Sequence, residues 1–367
     1  MKLKKTKYYS LKNILQHNAK YNIIFGERSN GKTYSVQDYA LKDFCENGAQ
    51  LAIVRRWQDD FTGKRGQQMF EGICSNGLVE KYSDGQYNSI YYHSSRWYLC
   101  HINENGERIE TCETPFAFGF AITAQEHDKS TSYPKIKNIL FDEFLTRSGY
   151  IHDEFVLFCN VLSTIIRDRD DVKIFMLGNT VNKFCPYFAE MGLNRISEMK
   201  QGEIDIYNYG NSGLTVAVEY AQSVITNGKR GKPSDVYFAF DNPKLKMITS
   251  GDWELSIYPH CPEKYRPKDI LFTYFIVFDG NVLQCEIVHG ETGYFTFIHR
   301  KTTPLKNPEK DVIFNPSMNS PRRNMRRSIS RPEDRLGEKI YYFYKNNRVF
   351  YQSNDIGDIV KNYLDSV

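Results

Sequence analysis

The chain has 367 residues, 41% of them hydrophobic and 25% charged, with a formal net charge of +4. That apolar content excludes chain-wide disorder, and at about 150 residues per domain the length suggests two domains or three. The near balance of charge excludes nucleic-acid binding through a global basic field, so any such contact must come from local patches.

The eight cysteines form no C-x-x-C pair and no cluster with zinc spacing, which reads as free thiols in a reducing compartment. The N-terminus, MKLKKTKYYSLKNILQ, is basic but lacks the apolar centre of a signal peptide. No apolar run approaches the roughly 20 residues that span a bilayer. A soluble, intracellular protein without membrane contact is expected. The 26 Tyr and 24 Phe read mainly as core and sheet residues.

In chain order, residues 21–25 (YNIIF) form a short apolar run that predicts a buried strand, followed by a glycine-rich turn. From Lys32, the helical spacing of Val36, Ala40 and Phe44 predicts a helix that Asn47-Gly48 stops. LAIV at 51–54 predicts a second strand, ending at Arg55 and Arg56, which could serve coupling or simple structure. YNSIYYH and RWYLCHI are hairpin candidates, and FAFGFAIT at 116–123 is another strand. NILF at 138–141 ends in Asp142-Glu143. Phe155, Phe158, Leu162 and Ile165 mark an amphipathic helix, and VKIFML at 172–177 is closed by Gly178-Asn179. This alternation predicts an α/β fold with a mostly parallel sheet over residues 1–200. Residues 201–260, with the basic stretch NGKRGKPSD, read as a linker or small subdomain. Residues 261–367, which open with a hairpin at Asp279-Gly280, read as a second α/β domain.

Gly26-Glu27-Arg28-Ser29-Asn30-Gly31-Lys32-Thr33 fits G-x-x-x-x-G-K-[ST] at every fixed position, between a predicted strand and a predicted helix. The small residues let backbone N–H groups curl around phosphate oxygens, and the helix N-terminus adds its dipole. Lys32 then reaches the β- and γ-phosphates of ATP, and the Thr33 hydroxyl is a ligand for Mg²⁺. Arg28 is placed to contact phosphate or a neighbouring subunit. An ordinary glycine turn is the plain alternative.

Asp142 closes an apolar strand, the place where a P-loop enzyme holds Mg²⁺, and Glu143 beside it can deprotonate an attacking water. Without the loop upstream, the pair would read equally well as a solvated strand end. Asn179 can sense the γ-phosphate or cap a turn. Arg167 and Arg169, in IIRDRDD, are arginine-finger candidates or part of a salt-bridge cluster, and Lys129 is a second candidate cation.

Together YNIIFGERSNGKTYS, LAIVRRW, EHDKSTSYP, NILFDEF, IIRDRDDV and FMLGNTVNKFCPYF resemble the DNA-encapsidation ATPases of small short-tailed phages, relatives of the large terminases. The resemblance covers roughly the first 190 residues and is faint beyond residue 200. It implies an ASCE-type P-loop ATPase in a homopentameric ring that pumps double-stranded viral DNA into a preformed capsid at the portal vertex. It matches Lys32, Thr33 and Asp142 to the phosphate and metal positions and Glu143 to the catalytic base. Arg167 and Lys129 match cations that act across subunit boundaries. It further implies a C-terminal domain like the RNase H-type nuclease of terminases but without its acids, and in some members a packaging RNA.

A working nuclease needs several acids on two metals. Asp279, Glu286 and Glu291 are available here, but Asp279 lies in a turn, and cleavage is not expected. Arg322, Arg323, Arg326, Arg327 and Arg331, with Lys229, Arg230 and Lys232, form two basic segments suited to sequence-independent phosphate contact or to solvated loops. The readings that stand beside a packaging motor are a helicase-like nucleic-acid-stimulated ATPase, a nuclease-competent terminase and a nucleotide-gated assembly protein without turnover.

Overall fold

The structure is a computed structural model that describes residues 6–127, 131–146, 150–151, 153–180, 185–196, 198–222, 225–226, 229–230, 258–261, 263–291, 293–317 and 324–367. The chain divides into two compact units, Met1–Arg147 with Asp153–Trp253, and Ser148–His152 with Glu254–Val367. No described helix is long and apolar enough to cross a membrane.

The first unit runs β1 (Thr6–Lys7), α1 (Lys12–Leu15), β2 (Tyr21–Gly26), α2 (Lys32–Asn47) and β3 (Gln50–Arg55). Three short helices follow, α3 (Gly63–Gln68), α4 (Glu71–Ser75) and α5 (Leu78–Tyr82). Next come β4 (Ser89–His93), β5 (Arg96–Ile102), β6 (Arg108–Thr111), β7 (Ala117–Ala121), β8 (Ile136–Asp142), α6 (Glu154–Ile166), β9 (Lys173–Asn179) and α7 (Pro186–Glu190). The unit closes with β10 (Ile204–Tyr209), β11 (Leu214–Tyr220), β12 (Ile225–Thr226) and β13 (Lys229–Arg230).

Its main sheet has ten strands in the order β10-β11-β2-β9-β8-β3-β7-β5-β4, with β6 beside β5. The strands from β11 to β7 are parallel, and the antiparallel pairs lie at the two ends. Apolar runs without alternation, as in β2 and β8, are what a sheet covered on both faces requires. Helix α2 buries Val36, Ala40 and Leu41 against this sheet. Each such burial contributes about 1.5–3 kcal/mol for the larger side chains. It stops where expected, at Gly48 in the left-handed conformation.

The expected linker from residue 201 gives way to sheet. Strands β10 and β11 form a hairpin, and β11 lies parallel to β2, pairing Val216 with Tyr21 and Tyr220 with Phe25. The signal was present in IDIYNY and LTVAVEY around the turn YGNSG. The half-exposed, polar edge strand β10 weakens it. Residues 231–257 lie outside the described residues.

The second unit comprises β14 (Ile270–Phe278), β15 (Asn281–Gly290), β16 (Gly293–Arg300), β17 (Val312–Phe314), β18 (Met325–Arg326), α8 (Arg335–Lys345), β19 (Val349–Tyr351) and α9 (Asn354–Asp365). Its six-stranded sheet has the order β18-β17-β14-β15-β16-β19. Strands β14, β15 and β16 form an antiparallel meander that turns at the predicted Asp279-Gly280, and β17 and β19 join it in parallel.

Candidate active site

Strand β2 delivers the chain into the loop at Gly26, and α2 begins directly after Gly31. Gly31 has φ 94°, and a Cβ there would meet the Cβ of Tyr8 at 3.2 Å, so both backbone and space favour glycine. Gly31 also has no side chain with which to cap α2, which leaves the helix N-terminus open to an anion. Lys32 is only 6% exposed. Its Nζ donates to the Glu27 carbonyl at 2.6 Å and to Asn30 Oδ1 at 3.2 Å.

Burial lowers the Lys32 ammonium to about 8, against the opposing pull of Asp142 and Glu27. A bound phosphate would raise it again by supplying negative charge. Phosphate binding near pH 8 should therefore be accompanied by proton uptake. Phosphate affinity should be full well below pH 8 and fall by about tenfold per pH unit above it. Calorimetry of pyrophosphate binding in buffers of different ionisation enthalpy checks this, and no proton uptake at pH 8 would refute it.

A cavity of about 390 Å³ lies over the loop, lined by Arg28, Lys32, Thr33, Asp142, Glu143 and Asn179 among others. The sheet order brings them together. Strand β9 lies between β2 and β8, with Asn179 in register with Gly26 and Leu177 with Asp142. The carboxyl ends of three parallel strands thus converge beside the loop, where open α/β sheets bind ligands.

Thr33 Oγ1 stands 3.3 Å from each carboxylate oxygen of Asp142. Burial pushes the Asp142 carboxyl above its usual range, while the Arg55 guanidinium pulls it down. Arg55, at the end of β3, ion-pairs with both acids, with Asp142 Oδ2 at 2.9 Å and with Glu143 Oε2 at 2.8 Å. Glu143 has φ 61°, an uncommon conformation for a residue with a side chain, at the point where the chain leaves β8.

Arg56, the first residue after β3, has different partners. It is 9% exposed and pairs with Glu154, 1% exposed, at the start of α6. Its guanidinium also donates to the carbonyls of Glu143 and Phe144, and Tyr187 donates to Glu154 at 2.9 Å. Phe144 N–H donates to the Leu177 carbonyl at 3.1 Å. The turn that carries Glu143 is thereby pinned from two sides. Sequence reading left Arg55 and Arg56 undecided and did not see Glu154, since a first-turn glutamate is ordinary in a helix.

The remaining candidates lie elsewhere. Arg167 is exposed at the end of α6 and donates to the Thr131 carbonyl at 2.9 Å. Arg169 donates to the carbonyls of Tyr133, Pro134, Ile136 and Ile165, which staples α6 to the start of β8. Strand β8 has seven residues, so its start lies roughly 20 Å from Asp142. Both arginines are therefore far from their own chain's cavity.

Lys129, Arg322 and Arg323 lie outside the described residues, and Lys229 and Arg230 form β13, paired to β12. Arg326 departs from the expectation of a surface DNA contact. It is buried and ion-paired with Asp334, the N-cap of α8, at 2.5 Å, while Arg327 is exposed. In the second unit, the Glu286 carboxylate accepts from Tyr265 at 2.5 Å and from Gln284 at 2.6 Å, and Asp279 occupies the turn.

The DNA packaging protein of Bacillus phage phi29 is 24% identical over 192 residues, 52% of this chain and 51% of that protein. That of Bacillus phage B103 is 26% identical over 185 residues, 49% of this chain and 50% of that protein. The chain thus spans about half the length of the curated relatives it matches. Among solved structures, the bacteriophage Phi-29 viral genome packaging motor assembly aligns with a TM-score of 0.55 at 17% identity, over 98% of this chain and 99% of that one. The Phi-28 gp11 DNA packaging motor aligns with a TM-score of 0.53, also at 17% identity, over 98% and 97%. These two likenesses concern the fold. Residues 3–75 and 109–227, more than half of the chain, match the family described as podovirus DNA encapsidation protein (Gp16), and the chain belongs to that family.

Proposed function

We propose that this protein hydrolyses ATP and uses the energy to drive double-stranded viral DNA into a preformed capsid through the portal vertex. The observation that carries the reading is one cavity in which the loop lysine, Thr33, the buried Asp142 and the exposed carboxylate of Glu143 meet. A phosphate cradle alone would suit a nucleotide-gated switch. An exposed carboxylate that can leave Arg55 and turn toward the γ-phosphate suits turnover.

Thr33 and Asp142 fit Mg²⁺, because two oxygen ligands of a cation held at about 2.1 Å stand roughly 3 Å apart, close to the 3.3 Å between these groups. When bound, the ion would neutralise charge on the β- and γ-phosphates. Lys32 leaves its carbonyl and amide partners for the phosphates. Asn179 orients the attacking water, and Glu143 takes its proton once it has released Arg55.

Arg167, and Lys129 with it, belong in this reading to the cavity of a neighbouring copy. The roughly 20 Å from the start of β8 to its own acid pair supports that assignment. A ring of subunits, pentameric as the family resemblance implies, then follows, docked on the portal with or without a packaging RNA. The meander β14-β15-β16 with β17 parallel to β14 supports an RNase H-like second unit, and the hydrogen-bonded Glu286 supports one that does not cleave. The exposed Arg327 and the basic segment at 229–232 are the proposed contacts to DNA phosphates.

Phosphate release from the purified chain, measured without nucleic acid and with double- or single-stranded DNA, tests the reading. Stimulation by the duplex is expected, weakening as salt rises. Preference for single strands would instead mark a helicase-like enzyme. Tight ATP binding with no turnover under any of these conditions would leave only the assembly switch.

A further inference from the structure

The cavity over the loop accounts for the phosphates of a nucleotide but not for its base. In a loop of this kind the backbone N–H groups hold the α- and β-phosphates, so the nucleoside must leave past the first turn of α2. That turn is where the N-terminal segment is fastened. Tyr9 N–H donates to the Asn30 carbonyl at 2.9 Å, and Ser35 Oγ donates to the Tyr9 carbonyl at 2.7 Å. The Tyr9 hydroxyl donates to Glu219 Oε2, on β11, at 2.7 Å. Three bonds thus tie one residue to the loop, to the helix and to the strand beside β2.

Tyr8 has the opposite disposition. Its Cβ and ring lie against the backbone of Gly31, within 3.2–3.7 Å of where a Cβ would stand, yet the residue is 60% exposed. In an extended segment neighbouring side chains point to opposite faces, so the anchoring of Tyr9 inward turns Tyr8 outward beside the loop. An exposed aromatic ring set against the loop of a phosphate site is a stacking platform for any nucleobase.

We propose that Tyr8 is the surface on which the base of the bound nucleotide stacks, and that nucleoside phosphates are thereby preferred over inorganic phosphates. The inference rests on the nucleotide-binding reading above. It also assigns a role to the N-terminal strap, for which the sequence pattern offered none. Stacking is tolerant of base identity, so the preference should be for a base as such and stronger for purines than for pyrimidines, whose ring face is smaller.

Calorimetry with ADP and with pyrophosphate tests this on the intact chain. Tyr8→Ala should weaken ADP binding about 5- to 140-fold, which is stacking of about 1–3 kcal/mol at about 1.4 kcal/mol per tenfold, and leave pyrophosphate affinity unchanged. Tyr8→Phe and Tyr8→Trp should bind ADP like the wild type, while Tyr8→Leu, with similar bulk and no ring face, should behave like Tyr8→Ala. Unchanged ADP affinity in Tyr8→Ala overturns the proposal. An equal loss for ADP and pyrophosphate overturns it too, because it would make Tyr8 a support for the loop. A wild-type protein that binds neither ligand would instead overturn the nucleotide-binding reading itself, and the proposal with it.

Discussion

Replacing Glu143 by Gln should lower the single-turnover rate of ATP hydrolysis by about 10²- to 10⁴-fold, the usual contribution of a general base, with ADP affinity kept within a few-fold. Gln has the same size and reach but cannot take a proton. The geometry favours a large rate effect and a small binding effect. The Glu143 side chain is 64% exposed, and in the proposed reading the phosphate contacts fall to Lys32 and the loop backbone instead. Arg55 already holds one Glu143 oxygen at 2.8 Å and competes with the attacking water for it. The same guanidinium holds Asp142, so release of Glu143 leaves Arg55 with a second carboxylate. Rapid-quench measurement of hydrolysis beside equilibrium ADP binding separates the two effects. A Glu143→Gln protein that hydrolyses ATP at the wild-type rate would remove this residue from the chemistry.

The second large effect concerns stability. Arg56→Met should destabilise the first unit by about 3–5 kcal/mol, because it removes the cation that pairs with the buried Glu154 carboxylate. For a unit of this size the loss corresponds to roughly 6–20 °C in Tm. Met keeps much of the arginine's bulk, so the loss would report charge and hydrogen bonds rather than a void. The substitution also frees the carbonyls of Glu143 and Phe144, so surviving protein should hydrolyse ATP more slowly.

Pairing it with Glu154→Gln should recover much of the lost stability, since the buried negative charge is gone and Tyr187 can still donate to the amide oxygen. Urea unfolding of both single variants and the double variant measures this coupling. A single-variant loss below about 1 kcal/mol would mean that water reaches Glu154 as freely as at a surface pair.

Much of the first unit was legible because its signals are local. A loop with glycine at both ends and Lys-Thr after it is a contiguous device that works through backbone N–H groups and one side chain. Its position and its strand and helix neighbours could be read directly. Strands β2, β3, β8 and β9 announce themselves as unbroken apolar runs because both faces of a parallel sheet are covered. Asp142-Glu143 gained meaning only beside the loop, yet both pieces stood in the sequence, as did the D-G hairpin of the second unit.

Strand order and side-chain partners depend on contacts between residues far apart in the chain, which leave no local pattern. That β9 lies between β2 and β8, and so brings Asn179 to the loop, is decided by the packing of the whole sheet. That β11 extends the sheet beyond β2, where a linker was expected, is decided in the same way. Two adjacent arginines, Arg55 and Arg56, look alike in sequence. One, at the end of β3, meets the acid pair, and the other, just past it, meets Glu154, 98 residues away. Arg326 and Arg327 are equally alike, and only the position of Asp334 at the head of α8 buries one of them. By itself the sequence determined the loop motif from which phosphate binding is proposed, because that motif is made of consecutive residues. Only the tertiary structure decided which charges serve the site and which hold the fold, because a charge takes its role from its partner, and partners are chosen by packing.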